Sequence, residues 1–284
     1  MSRKLTTKKQ IGVGLVVLML MALCSCAVLQ PADVNGPRTN LPAYPIVASD
    51  PANFETTSVA WHQLAQRYAL PQGSIADFQP VTGTIRSVPS NLGGSIFLPK
   101  VSAAQTPTEE DTRESLRRFI MEWKGLIGAD PHQLSLVERT DSGTLKTARY
   151  EQRPFRYPLR GPFGSLIIRF QADRRVIDIS STCIPDADHL QGALTALTPA
   201  ITGEEAATLV NQASLTINTD SAKQGAITLP PTASVDVRQL VAYAQLSQDQ
   251  QKVELHLAWE IDVTNGPIKT IYLDAISKKV LAVE

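Results

Sequence analysis

The chain lacks most of the residue patterns by which enzymes can be read from sequence. Its 284 residues hold no His-Glu-x-x-His pair, no Gly-x-Ser-x-Gly elbow, no phosphate-binding Gly-Lys-Ser/Thr loop and no dinucleotide glycine fingerprint. Zinc-hydrolase, serine-hydrolase and nucleotide-binding sites of the usual kind are therefore without their residues. The four histidines, His62, His132, His189 and His256, are too far apart to bind one metal from a single helix turn. Cysteine is scarce: Cys24 and Cys26 fall in an N-terminal apolar segment, which leaves Cys183 alone in the folded part. One thiol closes no intramolecular disulfide, so the fold must stand on packing. An excess of either charge is also missing. Lys+Arg and Asp+Glu are both 27, which gives no general electrostatic footprint for nucleic acid. No nucleic-acid partner is expected.

What is present begins at the N-terminus. Arg3, Lys4, Lys8 and Lys9 precede an uncharged apolar run from Ile11 to Leu23, and Leu23-Cys24-Ser25-Cys26 follows. This order resembles a bacterial export signal ending in a lipobox. Cys26 fits the acylated position better than Cys24, which would put the bulky Leu23 where a small residue belongs. The resemblance implies cleavage before Cys26 and lipidation of its sulfur. An uncleaved single-span anchor is the alternative, since Ile11 to Leu29 reaches the ~20 residues that a bilayer requires. Either way the bulk of the chain is expected outside the cytoplasm, attached to the membrane. Residues 1–25 are assigned to this signal and 26–52, rich in Pro, Asn and Asp, to a flexible tether.

The following stretch is organised around residues 108–181. Leu116, Phe119, Ile120 and Trp123 recur at helical spacing, Thr108 with Asp111 forms a capping pair, and Gly125 and Gly128 supply the stop. Strand patterns follow at 133–138, 144–152, 166–170 and 176–179, with turns at Asp141-Ser142-Gly143 and Ala172 to Arg175. Arg153 to Gly161 carries two prolines and a glycine and reads as a loop or an edge excursion. Asp186 to Pro199 has little pattern. Thr202-Gly203-Glu204-Glu205 then opens a second helix, and strands are expected at 240–246, 253–263, 268–274 and 280–283. Helix followed by antiparallel strands thus occurs twice. The expected fold is α+β in two sub-domains, 53–190 and 200–284, each a helix packed on an antiparallel sheet.

Candidate chemistry is thin. Cys183, Asp186, Asp188 and His189 lie within seven residues and could bind a cation, although a solvated Asp-rich loop is the better reading. Glu109-Glu110-Asp111 and Glu204-Glu205 suit helix N-termini. Arg149, Arg153, Arg156 and Arg160 suggest anion binding or an edge guarded against aggregation. They belong to a basic run from Arg139 to Arg175, with nine cations against three acids. Residues 176–284 hold six basic and thirteen acidic residues. The two regions read as solvated faces, or the first as a docking surface for an acidic partner. No catalytic, cofactor-binding or metal-binding residue is assigned, and no cofactor is expected.

The order of segments resembles the propeptide motif of fungalysin and thermolysin-type metalloproteases. The matching pieces are Leu116 to Ile120, Gly125 to Gly128, Leu134, Gly143, Tyr150-Glu151-Gln152 and Pro158-Leu159-Arg160-Gly161. The second half resembles a PepSY module through Ile201 to Ala206, Leu257-Ala258-Trp259-Glu260-Ile261 and Ile271 to Ala275. The family's Thr-Gly after Asp-Ala is Ser277-Lys278 here, which is expected to loosen the last turn. The protease domain that follows such propeptides has no counterpart in these residues. The resemblance implies a non-enzymatic module that binds, inhibits or helps fold a thermolysin-like metallopeptidase in trans. An envelope scaffold lipoprotein with a partner other than a protease is the alternative.

Overall fold

The structure is a computed structural model that describes residues 44–89, 96–103, 107–153, 155–212, 215–217, 225–227 and 229–284. Cys26, the signal 1–25 and the tether up to residue 43 lie outside the described residues. Among the described residues no helix is long and apolar enough to cross a membrane. The contacts of Leu41–Glu284 form one unit.

The chain enters as strand β1 (Ile46–Ala48), inside the stretch expected as tether. Helix α1 (Pro51–Arg67) follows, its first residues also inside the stretch expected as tether. The reason is local: the Asp50 carboxylate caps Ala52 N at 2.9 Å, and proline suits the first helical position because its missing N–H is not needed there. Strands β2 (Asp77–Phe78) and β3 (Ile85–Ser87) form a small pair. Helix α2 (Glu109–Glu122) starts where expected, and Thr108 and Asp111 make both halves of a capping box. A single turn, α3 (Lys124–Ile127), ends at Gly128 with φ 81°, where glycine carries no Cβ penalty.

Four antiparallel strands make the first sheet, in the order β4 (Leu134–Ser142), β5 (Leu145–Gln152), β7 (Ser165–Gln171), β8 (Val176–Ser181). Helix α2 lays Leu116, Phe119 and Ile120 against Ala148, Tyr150, Leu166, Ile168 and Ile179, with Trp61 and Leu64 of α1 closing the same core. Each large side chain buried there contributes about 1.5–3 kcal/mol through apolar area removed from water. Between β5 and β7 the chain leaves this sheet. Strand β6 (Leu159–Arg160) pairs in parallel with Ala242 and Tyr243 of the second sheet. Gly161 makes the exit turn at φ 95°, where an added Cβ would meet the carbonyl oxygen of Ala244.

Helix α4 (Ala187–Thr195) occupies the stretch that sequence pattern left as a connection. Helix α5 (Gly203–Gln212) follows, with Thr202 N bonded to Glu205 Oε2 at 2.8 Å. A hairpin, β9 (Leu215–Ile217) and β10 (Gly225–Ile227), precedes the second sheet. Its main path runs β14 (Val280–Val283), β13 (Thr270–Asp274), β12 (Lys252–Thr264), β11 (Ser234–Leu246), β6, while β1 pairs with the other half of β12. Ala187 and Leu194 of α4 cover Ala242, Ala244, Leu255 and Leu257, and Ala206 and Val210 of α5 cover Ile261, Val263, Ile271 and Leu273. The architecture is α+β with two sheet-containing bodies. The second body departs from the expectation in taking two helices, and its parallel β6 is borrowed from the chain of the first.

The last turn is not loose. Asp274 Oδ1 accepts from Ile276 N at 2.8 Å and Ser277 N at 2.7 Å, and Lys278 N bonds to Asp274 O at 3.0 Å. Lys278 sits at φ 63°, a left-handed position that glycine fills without strain. Lys278→Gly is therefore expected to stabilise the protein by up to about 1 kcal/mol. A higher urea midpoint with an unchanged slope is the expected result, and a lower midpoint would refute this account of the turn.

Candidate functional site

The two edges of the first sheet differ. The β8 edge is covered: Val176 N bonds to Ile96 O at 2.8 Å, Leu98 N to Arg174 O at 2.9 Å, and Thr84 Oγ1 to Ser181 O at 3.0 Å. Strand β4 pairs with β5 along its length, from Leu134 opposite Gln152 to Ser142 opposite Leu145. On its outer side no described residue pairs with it. Its inward residues Leu134 and Leu136 anchor it to the core, while Val137 to Ser142 are exposed. A bulge at Val137 and the Arg139–Glu109 ion pair at 3.5 Å interrupt the otherwise regular rim. An edge of this kind presents alternating free N–H and C=O groups, the requirement for adding an extended peptide as a further strand.

The basic run around this sheet is largely neutralised where it stands. Lys146 meets Asp141 at 3.0 Å, Arg169 meets Asp178 at 3.2 Å and Arg175 meets Asp173 at 2.9 Å. The four arginines considered for anion binding do not converge. Arg153 pairs with Glu151 at 3.3 Å, Arg156 lies 5.7 Å over the Tyr157 ring, and Arg149 is exposed on β5. Arg160 reaches the buried Glu260 at 2.9 Å, a carboxylate that also accepts from Gln239 at 2.7 Å. Burial pushes the Glu260 carboxyl up, and these two donors more than offset it, so it lies below its ordinary value.

The fold separates Cys183 from the rest of its cluster, while Asp186, Asp188 and His189 line one shallow pocket. Cys183 is sealed in the first core, where burial pushes its thiol up to about 12. The Asp188 carboxylate accepts from Gln133 Nε2 at 2.9 Å, and His189 N bonds to Asp186 O as the α4 turn begins. Among the described residues no three His, Cys, Asp or Glu side chains are placed to hold a metal. The acids at 109–111 and 204–205 lie in the first turns of α2 and α5, as their spacing implied.

A cluster that spacing did not reveal lies on the second sheet. Asp274, fully buried, accepts His256 Nδ1–H at 2.7 Å and Tyr44 Oη–H at 3.1 Å in addition to the two turn amides. An ionised carboxylate only accepts, so His256 Nδ1 carries a hydrogen, and Nε2 lies 3.2 Å from Gln245 Nε2 and 3.4 Å from Glu254 Oε2. The Tyr44 and His256 rings lie 4.1 Å apart. Burial, then the Asp274 charge, raises the Tyr44 hydroxyl to about 12. All the donors around this carboxylate are engaged in holding β1 and the β13–β14 turn in place.

No family model matches the chain. No curated protein matches it. Among solved structures, the Bacillus megaterium YpeB C-terminal domain is similar at 14% identity and a TM-score of 0.31, over 80% of this chain and 96% of that one. That likeness is too slight to carry a family or an activity.

Several of the sequence motifs acquire a physical role. Gln152 of the Tyr-x-Gln motif is buried and holds the main chain of Ile184 from both sides. Its Nε2 donates to Ile184 O at 2.9 Å, and its Oε1 accepts from Ile184 N at 2.8 Å. Leu159 and Gly161 of the Pro-aliphatic-x-Gly motif form β6 and its exit turn. Trp259 of the Leu-Ala-Trp motif donates Nε1–H to Ile201 O at 3.2 Å, tying β12 to the entrance of α5.

Proposed function

We propose that this chain is a non-enzymatic, exported binding module that engages an extracytoplasmic metallopeptidase of the thermolysin type in trans, as an inhibitor or a folding helper. Attachment to the membrane through Cys26, or through the uncleaved apolar segment, belongs to the same reading. The observation that carries it is the open β4 edge on a body whose propeptide-like motifs all have structural work. A protease cleft of this class binds an extended chain through main-chain hydrogen bonds. An exposed strand offers the same groups without a scissile bond held in reach of the metal.

The test mixes the purified protein with a thermolysin-like enzyme and follows peptide hydrolysis, alongside refolding yield of the denatured enzyme. Inhibition or a raised yield is expected. A Val137→Lys, Arg139→Glu double variant is expected to weaken the effect roughly tenfold by altering the exposed rim, with little loss of stability. Neither inhibition nor improved refolding across several such enzymes would remove the proposal.

A further inference from the structure

A cavity of about 300 Å³ opens between α2, the start of β5, the β7–β8 turn and the segment at residues 98–103. This volume is at the lower end of the range for small-molecule pockets. The buried side chains of Leu98, Phe170 and Ser115 are among those that line it. The Ser115 hydroxyl is taken up by the Pro99 carbonyl, so the base is mostly apolar.

The charged wall is uneven. Lys100, Lys146 and Arg174 line the cavity together with Asp111 and Asp173. Asp173 is paired with Arg175, and one oxygen of Asp111 is engaged by the neutral donors of Thr108. Asp111 Oδ2 accepts from Thr108 N at 2.9 Å and Thr108 Oγ1 at 2.8 Å. Asp173 accepts from Arg175 N at 3.1 Å and Arg175 Nη2 at 2.9 Å. Lys146 is held by Asp141 at 3.0 Å. Lys100 and Arg174 remain without an ion pair among the described residues, and the one side-chain bond of Arg174 there is Nη1 to Leu98 O at 3.2 Å. The cavity thus joins an apolar base to two cations outside any ion pair and one carboxylate, Asp111, an excess of one positive charge. Such a combination selects an anion with an apolar body rather than a sugar, a cation or a bare phosphate.

We propose that this cavity binds an apolar carboxylate about the size of an acylated aliphatic amino acid, its carboxylate between Lys100 and Arg174 and its side chain toward Leu98 and Phe170. The inference is independent of the protease reading, because the cavity is distinct from the β4 rim. A free acid and the C-terminal residue of a peptide present the same chemistry, and the experiment separates them.

The full folded protein is titrated with N-acetyl-leucine, with a tetrapeptide ending in leucine, and with the amide of each, by calorimetry and amide chemical-shift mapping. Saturable binding of an acid is expected, with shifts confined to the cavity. Loss of one charge-assisted hydrogen bond should weaken the amides roughly tenfold or more. Binding of the tetrapeptide alone would assign the site to peptide termini, and binding of N-acetyl-leucine alone to free acids. Lys100→Glu, at an exposed position, should weaken binding by a similar factor, and Ala172→Trp at the rim should block entry. Unchanged melting temperatures will show that both variants fold. No saturable binding at millimolar ligand, equal binding of acid and amide, or full binding by folded Lys100→Glu would each overturn the proposal.

Discussion

Asp274→Ala is expected to destabilise the protein by about 3–5 kcal/mol, the usual cost of breaking a buried charge-assisted network from one side. The substitution strands four donors at once: His256 Nδ1–H, Tyr44 Oη–H and the amides of Ile276 and Ser277. Urea unfolding monitored by circular dichroism would measure it, and a loss below about 1 kcal/mol would contradict the network as described. The effect has a pH signature. Burial pushes the Asp274 carboxyl up, but the bonds from His256 and the two amides prevail, so its folded value lies below the ordinary 3.8. A carboxyl lowered on folding adds stability that is complete above its unfolded value and disappears as pH falls through the folded one. Asp274→Asn should therefore flatten the acid limb of the stability curve below about pH 4 relative to the native protein. An acid limb of unchanged steepness would count against it.

Gln152→Leu is expected to cost about 2–6 kcal/mol. Leucine is close to glutamine in size, so little cavity forms and the loss comes from hydrogen bonding. Ile184 N and Ile184 O are both buried partners of this one amide, and each orphaned group carries a desolvation penalty of about 1–3 kcal/mol. Gln152→Glu should not rescue it, because a carboxylate meets the Ile184 carbonyl with no hydrogen to offer. Thermal melts of both variants check this. A melting temperature within a degree or two of the native protein's would show that water replaces the amide readily.

Much of the fold was legible because its determinants are local. The capping pair Thr108–Asp111, the stripe Leu116-Phe119-Ile120 and the β4–β5 turn at Gly143 are all encoded within a few residues, and the structure uses each. Where the local signal is ambiguous it misleads: Asp50-Pro51 has tether-like composition and is a helix start. Helix α4 was missed for a different reason. It begins at Asp186, whose backbone is left-handed and whose side chain makes no cap bond, so no start signal precedes it. Its helicity follows from packing on the second sheet, a tertiary effect that outweighs propensity.

The sites were less legible than the fold. Nothing in the spacing of Tyr44, His256 and Asp274 indicates that they meet, since Tyr44 and Asp274 are 230 residues apart. They are brought together by the register of β12 on β13 and by β1 joining the free half of β12. The neutralised basic run illustrates the converse. Counting charges along the chain found the excess but not the cross-strand partners, such as Arg169 with Asp178, that consume it.

The short excursion at Leu159–Arg160 has a consequence for the order in which the molecule can be completed. Arg160 is joined to Glu260, 100 residues further along the chain. During synthesis the first sheet emerges with this loop already committed to a neighbour that does not yet exist. Contacts of such long sequence separation are slow to form, and apolar surface left waiting invites wrong partners. Leu159 stays without its strand until β11 has been made and has folded back. The N-terminal body is therefore the first to appear but is finished only by the arrival of the C-terminal one.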